Sequence, residues 1–287
     1  MLINMNEMLK VAEKHQFAVG AFNATESSLF RAVVEEAENS NSPAIIQVAP
    51  GEFDFATREF YTYVKERLAE SRVPFVLHLD HGKSLEHCMK AIQAGFTSVM
   101  IDGSELSYEE NIRISKEVTE LAHMVNVSVE GEIGTIGVMD NSDEGGVRNV
   151  TYTNPEDVTE FVSQTNVDCL AIAIGTAHGI YPKEFKPKLR LQLLREIKAV
   201  SSVPLVLHGG SNNPDEEIRE ACKIGIRKVN ISSDFKYAFF KKVNEVIEET
   251  GGFIPAKVFT PGILEARKVI RQKMELFGSL GKAECYR

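Results

Sequence analysis

A (β/α)8 barrel with additional C-terminal helices is the fold this chain predicts, and three observations predict it. Short apolar runs alternate with longer amphipathic stretches between residues 18 and 231. No low-complexity segment or Pro/Gly-rich linker interrupts them, so residues 1–287 read as a single barrel domain. Nearly every run ends in a side chain that can ligate a metal or exchange a proton, and strand C-termini are where barrels of this class carry active sites.

The runs, in order, are Ala18–Phe22, Ala44–Val48, Phe75–Leu79, Ser98–Ile101, Val127–Val129, Leu170–Ile174, Leu205–Leu207 and Lys228–Ile231. Near-continuous apolar strands separated by helical patterns argue for a parallel sheet covered by helices. Pro43, Pro74 and Pro204 stand just before strands, where a missing N–H is tolerated. Between the strands, Leu29, Ala32, Val33 and Ala37 recur at helical spacing, and Glu109–His123 and Pro214–Ile224 behave alike. Past the eighth strand, Asp234–Thr250 predicts a helix, Gly251-Gly252 a break, and Pro261–Gly278 a second helix that caps the barrel or serves a dimer.

At 287 residues the chain suits one barrel of roughly 250 residues plus a tail. A hydrophobic share of 43% is enough for a full core, and a net charge of −9 without a basic cluster makes nucleic acid and anionic membrane poor partners. The first residues show neither the basic nor the apolar region of a signal peptide, and no apolar run nears the roughly 18 residues of a membrane span. Four cysteines without a CxxC pair suit a cytoplasmic protein with reduced thiols.

The most informative string is His78-Leu79-Asp80-His81-Gly82, which brings metal ligands and an acid to one edge of the sheet. Two later strands end in Gly175-Thr176-Ala177-His178-Gly179 and His208-Gly209-Gly210-Ser211. A lone histidine is ordinarily a core or surface residue. Three at three strand ends, His81, His178 and His208, make an open catalytic metal site. His78 is expected to face away or to stand behind the ligands. His15, His87 and His123 fall in helical stretches and are read as structural. Asp80 is the candidate general acid/base. Asp102 and Glu132 are rim carboxylates for supporting the histidines or for a second metal. Asn23 and Asn230 also follow strands. Gly209, Gly210, Ser211, Asn230, Ile231, Ser232 and Ser233 lie in the two turns where such barrels hold phosphate on backbone amides at a helix N-terminus. The stretch 134–149, poor in apolar residues, is read as a lid or a surface loop.

Together these residues resemble the class II, zinc-dependent ketose-bisphosphate aldolases. The resemblance runs from about Asn6 to Lys282. It rests on Phe22-Asn23, His78 to Gly82, Ser98 to Ser104, Glu109-Glu110-Asn111, Val129 to Gly134, Ala173 to Tyr181, Leu205 to Gly210 and Lys228-Val229-Asn230. It implies Zn2+ on His81, His178 and His208, with Asp80 protonating the aldehyde oxygen in condensation and taking the proton back in cleavage. It also implies that Gly179, Gly209, Ser211, Asn230, Ser232 and Ser233 hold the phosphate of dihydroxyacetone phosphate. A monovalent cation (Na+ or K+) on backbone carbonyls and a homodimer or homotetramer are further implications.

Three departures bear on substrate. The family's lid acid is matched by Gly137-Val138-Met139-Asp140, so Asp140 takes that role, with Asp143 and Glu144 as alternatives. Ala49 stands after the second strand where the family has a hydroxyl for a distal phosphate, and Glu52 follows it. Ala256 aligns with the arginine that reaches a neighbour's distal phosphate. The expected substrate is thus a ketose 1-phosphate without a distal phosphate, an ordinary 1,6-bisphosphate being the alternative. A metal-dependent hydrolase is disfavoured because the first strand ends in Phe22-Asn23 rather than His-x-His. A non-catalytic phosphosugar sensor is the reading from another class.

Overall fold

Every second residue of the barrel strands changes character along its length, from apolar at the N-terminal end to polar at the C-terminal end. The inward set reads Val19, Ala21, Asn23; then Ile45, Gln47; then Val76, His78, Asp80; then Met100, Asp102; then Val206, His208. Period-two geometry puts each set on one face. The barrel interior is therefore an apolar floor beneath a polar upper layer.

The computed structural model describes residues 1–138, 150–179 and 187–287. The strands are β1 (Val19–Asn23), β2 (Ala44–Val48), β3 (Phe75–Gly82), β4 (Ser98–Ile101), β5 (Ser128–Ile133), β6 (Cys169–Ile172), β7 (Leu205–Leu207) and β8 (Ile226–Ile231). They close in sequence order into a parallel barrel, β8 pairing with β1 through Ala21 opposite Asn230. All eight predicted strands are present. A short parallel pair, Gly137–Val138 with Ala177–His178, stands outside the barrel.

The helices are α1 (Met5–His15), α2 (Ser27–Asn39), α3 (Pro50–Phe55), α4 (Arg58–Glu70), α5 (Leu85–Ala94), α6 (Tyr108–His123), α7 (Pro155–Thr165), α8 (Leu191–Val200), α9 (Asp215–Ile224), α10 (Ser233–Thr250) and α11 (Pro255–Leu276). Among the described residues, no helix is long and apolar enough to cross a membrane. The outward strand residues, such as Phe22, Ile46 and Leu77, join the helices in one core. A second core is the barrel floor. There Met5, Met8, Leu9 and Ala12 of α1 meet Val19, Ile45, Val76, Met100 and Val206. Helix α1 starts cleanly because Asn4 and Glu7 form a reciprocal capping box. It also ties to distant chain, since Met5 N donates to Ser128 Oγ at 2.8 Å and Tyr286 Oη donates to Met8 O at 3.0 Å.

Several boundaries differ from the sequence reading, and two of them have a cause visible in the structure. Helix α11 begins at Pro255, six residues earlier than expected, and runs straight through Pro261. Proline removes one N–H donor from the helix ladder. The carbonyl it would have served belongs to Lys257, an exposed residue, so that carbonyl is not stranded in the core. Strand β5 continues through Glu130 and Glu132 rather than ending before them. The cause is distant: Lys228 and His208 supply the partners that let a carboxylate sit mid-strand.

Candidate active site

The site starts from an irregularity in β3. Leu79 pairs with Val99, yet the next partners are Gly82 and Ile101, so β3 carries one extra residue there. That bulge coincides with a left-handed residue, His81 at φ 50°. A regular strand would send Asp80 and His81 to opposite faces. The bulge turns both toward the barrel mouth. Gly82 completes it, because a Cβ there would meet Met100 O at 2.5 Å.

The donor nitrogens of His81, His178 and His208 lie within 4.8 Å of one another, and all three side chains are buried. His81 Nε2 and His208 Nδ1 are 2.9 Å apart. Two imidazoles on one tetrahedral zinc, with bonds of roughly 2.0–2.1 Å, bring their donors to about 3.3 Å. The opposite ring nitrogens are already taken. Asp102 Oδ2 holds His81 Nδ1 at 2.9 Å, and Glu130 Oε1 holds His208 Nε2 at 2.7 Å. Carboxylates behind imidazoles fix the tautomer that leaves the other nitrogen free for a cation. The donor set therefore fits a divalent metal.

Asp102 is fully engaged. Its Oδ2 also accepts from Lys83 Nζ at 2.7 Å, and its Oδ1 from Ser104 Oγ at 2.7 Å. Glu132 is different. Its Oε2 lies 4.0 Å from His81 Nδ1 and 3.9 Å from His208 Nδ1 and has no hydrogen-bond partner among the described residues. With His81 and Asp102 it forms a second group of metal-binding character.

Asp80 sits in a cradle of three amides. Asn23 Nδ2 and Gln47 Nε2 donate to Oδ2 at 3.2 and 3.0 Å, and Asn230 Nδ2 donates to Oδ1 at 3.1 Å. These amides come from β1, β2 and β8, so three neighbouring strands fix one carboxylate. Its Oδ1 stands 4.0 Å from His81 Nε2, beside the histidine cluster and not within it.

The electrostatics follow from crowding in a dry space. Burial works against the charge of Asp80, but His81 and His208 outweigh it and keep the carboxyl below its usual range. Burial likewise opposes the His81 imidazolium, while Asp80 and Asp102 hold it up at about 10. Burial, with His81 close by, drives His208 well below the ordinary histidine value. Burial, reinforced by Asp102, lifts Glu132 well above the usual carboxylate range.

Of the two places expected for His78, the structure gives the one behind the histidine cluster. This residue shares the inward face of β3 with Asp80, two residues on, and lies one layer deeper. Its Nδ1 meets Ser98 Oγ at 2.8 Å, and its Nε2 is 3.5 Å from Glu130 Oε2. That same oxygen accepts from Lys228 Nζ at 2.8 Å. Lys228, Glu130 and His208 form a fully buried chain running up to the site. Of its members, Lys228 and Glu130 stood at strand ends without an assigned role. Ser98 and Lys83 carried no signal that sequence alone could separate from an ordinary strand serine and a surface lysine.

The phosphate candidates also converge. Gly209 adopts φ 61°, and a Cβ there would fall 2.5 Å from Ala177 O. Gly210 N donates to Asn230 O at 3.0 Å, and Ser232 N to Ser211 Oγ at 3.3 Å, stitching the β7 and β8 turns together. Ser232 is the N-cap of α10 but makes no side-chain cap bond, so the first amides of an 18-residue helix from Ser233 onward face this turn unpaired by a cap. Ile231 ends β8 beneath them, and Gly179 at φ 96° follows His178. Asp140, Asp143 and Glu144 lie outside the described residues, as does 180–186.

A buried carboxylate beside an imidazole cluster fit for a divalent ion, at the strand ends of a parallel barrel, is the arrangement of a metal-dependent barrel enzyme. The family model for fructose-bisphosphate aldolase class-II matches residues 3–282, and the chain belongs to that family of carbon–carbon lyases. It is 39% identical to a fructose-bisphosphate aldolase of Geobacillus stearothermophilus, over 98% of this chain and 99% of that one. It is 38% identical to a 6-phospho-5-dehydro-2-deoxy-D-gluconate aldolase of Bacillus licheniformis, over 99% and 97%. The YdjI aldolase of Escherichia coli K12 superposes with a TM-score of 0.86 at 30% identity, covering 99% of this chain and all of the other.

Proposed function

We propose that this chain is a zinc-dependent aldolase that reversibly cleaves a ketose 1-phosphate to dihydroxyacetone phosphate and an aldehyde, and that it accepts tails without a distal phosphate. The observation that carries the reading is Asp80, held as a carboxylate by three amides next to the three-histidine cluster. His81, His178 and His208 hold the zinc. When bound, the ion acts as a Lewis acid on the oxygens beside the breaking carbon–carbon bond.

The chain's own residues supply the rest. In cleavage, Asp80 takes the proton from the hydroxyl that becomes the aldehyde oxygen. Its amide cradle keeps the carboxylate aimed without competing for that proton. In condensation it returns the proton. A positioned acid/base of this kind contributes about 10²–10⁴ in rate. The glycine and serine turns after β7 and β8, with the α10 N-terminus, take the phosphate on backbone amides. Asp102 and Glu130 hold the imidazoles that would bind the zinc, and Glu132 adds a further carboxylate. Asp140, outside the described residues, would exchange the proton of the dihydroxyacetone half, and carbonyls of these turns would hold a Na+ or K+ ion that neutralises part of the phosphate charge.

The tail side supports the narrower substrate. Ala49 is buried after β2 and offers no hydroxyl, and Ala256 lies exposed in the first turn of α11 without a charge. One relative is named for a phosphorylated sugar acid rather than a bisphosphate. Tyr237, Phe240 and Phe253 stand 60, 57 and 90% exposed on and just after α10, which supports a homodimer or homotetramer through the C-terminal helices. The test is dihydroxyacetone phosphate release from a panel of ketose 1-phosphates and 1,6-bisphosphates, with and without chelator. Chelator-sensitive release with fructose 1-phosphate cleaved at least as well as the bisphosphate is expected. A 100-fold preference for the bisphosphate, roughly 2.7 kcal/mol of discrimination, would refute the tail assignment.

A further inference from the structure

The three strands that cradle Asp80 each send their next segment to one groove of about 630 Å³. Thr25 and Glu26 follow β1, Gly51 and Glu52 follow β2, and Lys236 and Phe240 lie on α10 after β8. The groove thus lies at the same end of the barrel as Asp80, past the C-termini of β1, β2 and β8. One ion pair spans it, Lys236 Nζ donating to Glu52 Oε1 at 2.5 Å. The side chains are only 24 and 15% exposed, so neither charge is freely hydrated. Glu52 Oε2 is buried and has no hydrogen-bond partner among the described residues. Glu26, the other acid in the groove, is turned away, its oxygens accepting from Ser28 N and Leu29 N at the start of α2.

We propose that Glu52 and Lys236 set the specificity of the aldehyde side, Glu52 occupying the groove's cation so that a tail without a phosphate is taken and a phosphorylated one is refused. This deepens the reading of the site as an aldolase and rests on it. The chemistry is that of a filled socket. Lys236 is the charge that a distal phosphate or carboxylate would seek. It is already neutralised by a carboxylate that would itself repel the newcomer. Oε2 itself is buried, so Glu52 acts on the tail through its charge rather than through a hydrogen bond. Specificity here comes from a repulsive group as much as from an attractive one.

The experiment compares the metal-loaded wild type with Glu52→Gln and with Glu52→Gln/Lys236→Met. In the single variant, kcat/KM for fructose 1,6-bisphosphate relative to fructose 1-phosphate should rise about tenfold or more, the worth of one charge-assisted hydrogen bond. The double variant should lose that gain, because the freed ammonium is its source. An unchanged ratio in Glu52→Gln, or a gain that survives removal of Lys236, overturns the proposal. A calorimetric titration with D-glyceraldehyde 3-phosphate reads the groove without turnover, and binding should tighten in Glu52→Gln alone. A wild type that cleaves neither sugar phosphate refutes the substrate reading, while equal binding in all three proteins refutes the Glu52–Lys236 assignment.

Discussion

Lys228→Met removes the cation at the base of the buried chain. Both Lys228 and Glu130 are fully buried, and their charged atoms are 2.8 Å apart. Unit charges at that distance attract by about 6 kcal/mol at an effective dielectric of 20. The measured cost of orphaning one partner of such a pair is about 3–5 kcal/mol, because the survivor stays charged in a dry space. Glu130 would keep His208 Nε2 at 2.7 Å, His78 Nε2 at 3.5 Å and the weak contact of Cys169 Sγ at 3.7 Å. For a chain of this size each kcal/mol shifts Tm by roughly 2–4 °C, so scanning calorimetry should show a loss of about 6–20 °C. Adding Glu130→Gln removes the stranded charge and should recover at least half of the loss. A Tm for Lys228→Met within about 2 °C of wild type would refute the reasoning, for it would mean that the pair contributes nothing net.

Asp80→Asn should keep its metal and lose about 10²–10⁴ in turnover, since the amide cannot take the substrate proton; metal analysis beside a dihydroxyacetone phosphate assay checks both halves. Asp102→Asn weakens the hold on His81 Nδ1 and should lower metal affinity about 10–100-fold in a chelator competition, with an unchanged affinity counting against its orienting role. Glu38 is held below the usual glutamate range, chiefly by the paired hydrogen bonds of Arg67 and also by Ser71 Oγ. A depressed folded-state pKa gives stability that is present above the unfolded value and lost as pH falls through the folded one. In urea titrations Glu38→Gln should therefore cost up to about 1 kcal/mol near neutrality and nothing at strongly acidic pH.

The barrel was legible because each strand is a short apolar run, and a run of that kind announces itself locally. The gathering of His81, His178 and His208 beside Asp80 was legible for a related reason: these residues follow such runs directly. What escaped depends on distant partners. Glu130 looked like a strand terminus until Lys228, 98 positions away, placed an ammonium against it. His78 faces inward with Asp80 because residues two apart share a face, and it is tolerated there because Ser98 and Glu130 meet its ring. The simultaneous use of Asp80 and His81 rests on a bulge, which no pattern of residue types marks in advance. Pro261 would have stopped an interior helix, and only the exposure of Lys257 shows why it does not.

The floor of the barrel has a consequence for how the protein comes into being. Helix α1 precedes every strand, its apolar side is matched by residues spread from Val19 to Val206, and Tyr286 closes on Met8 across 278 positions. Contacts of that separation carry a loop-closure cost and slow folding. A chain that has reached only Val76 still lacks Met100, Cys169, Ala171 and Val206 of that floor. Incomplete barrels with such apolar surface uncovered are the species prone to aggregation.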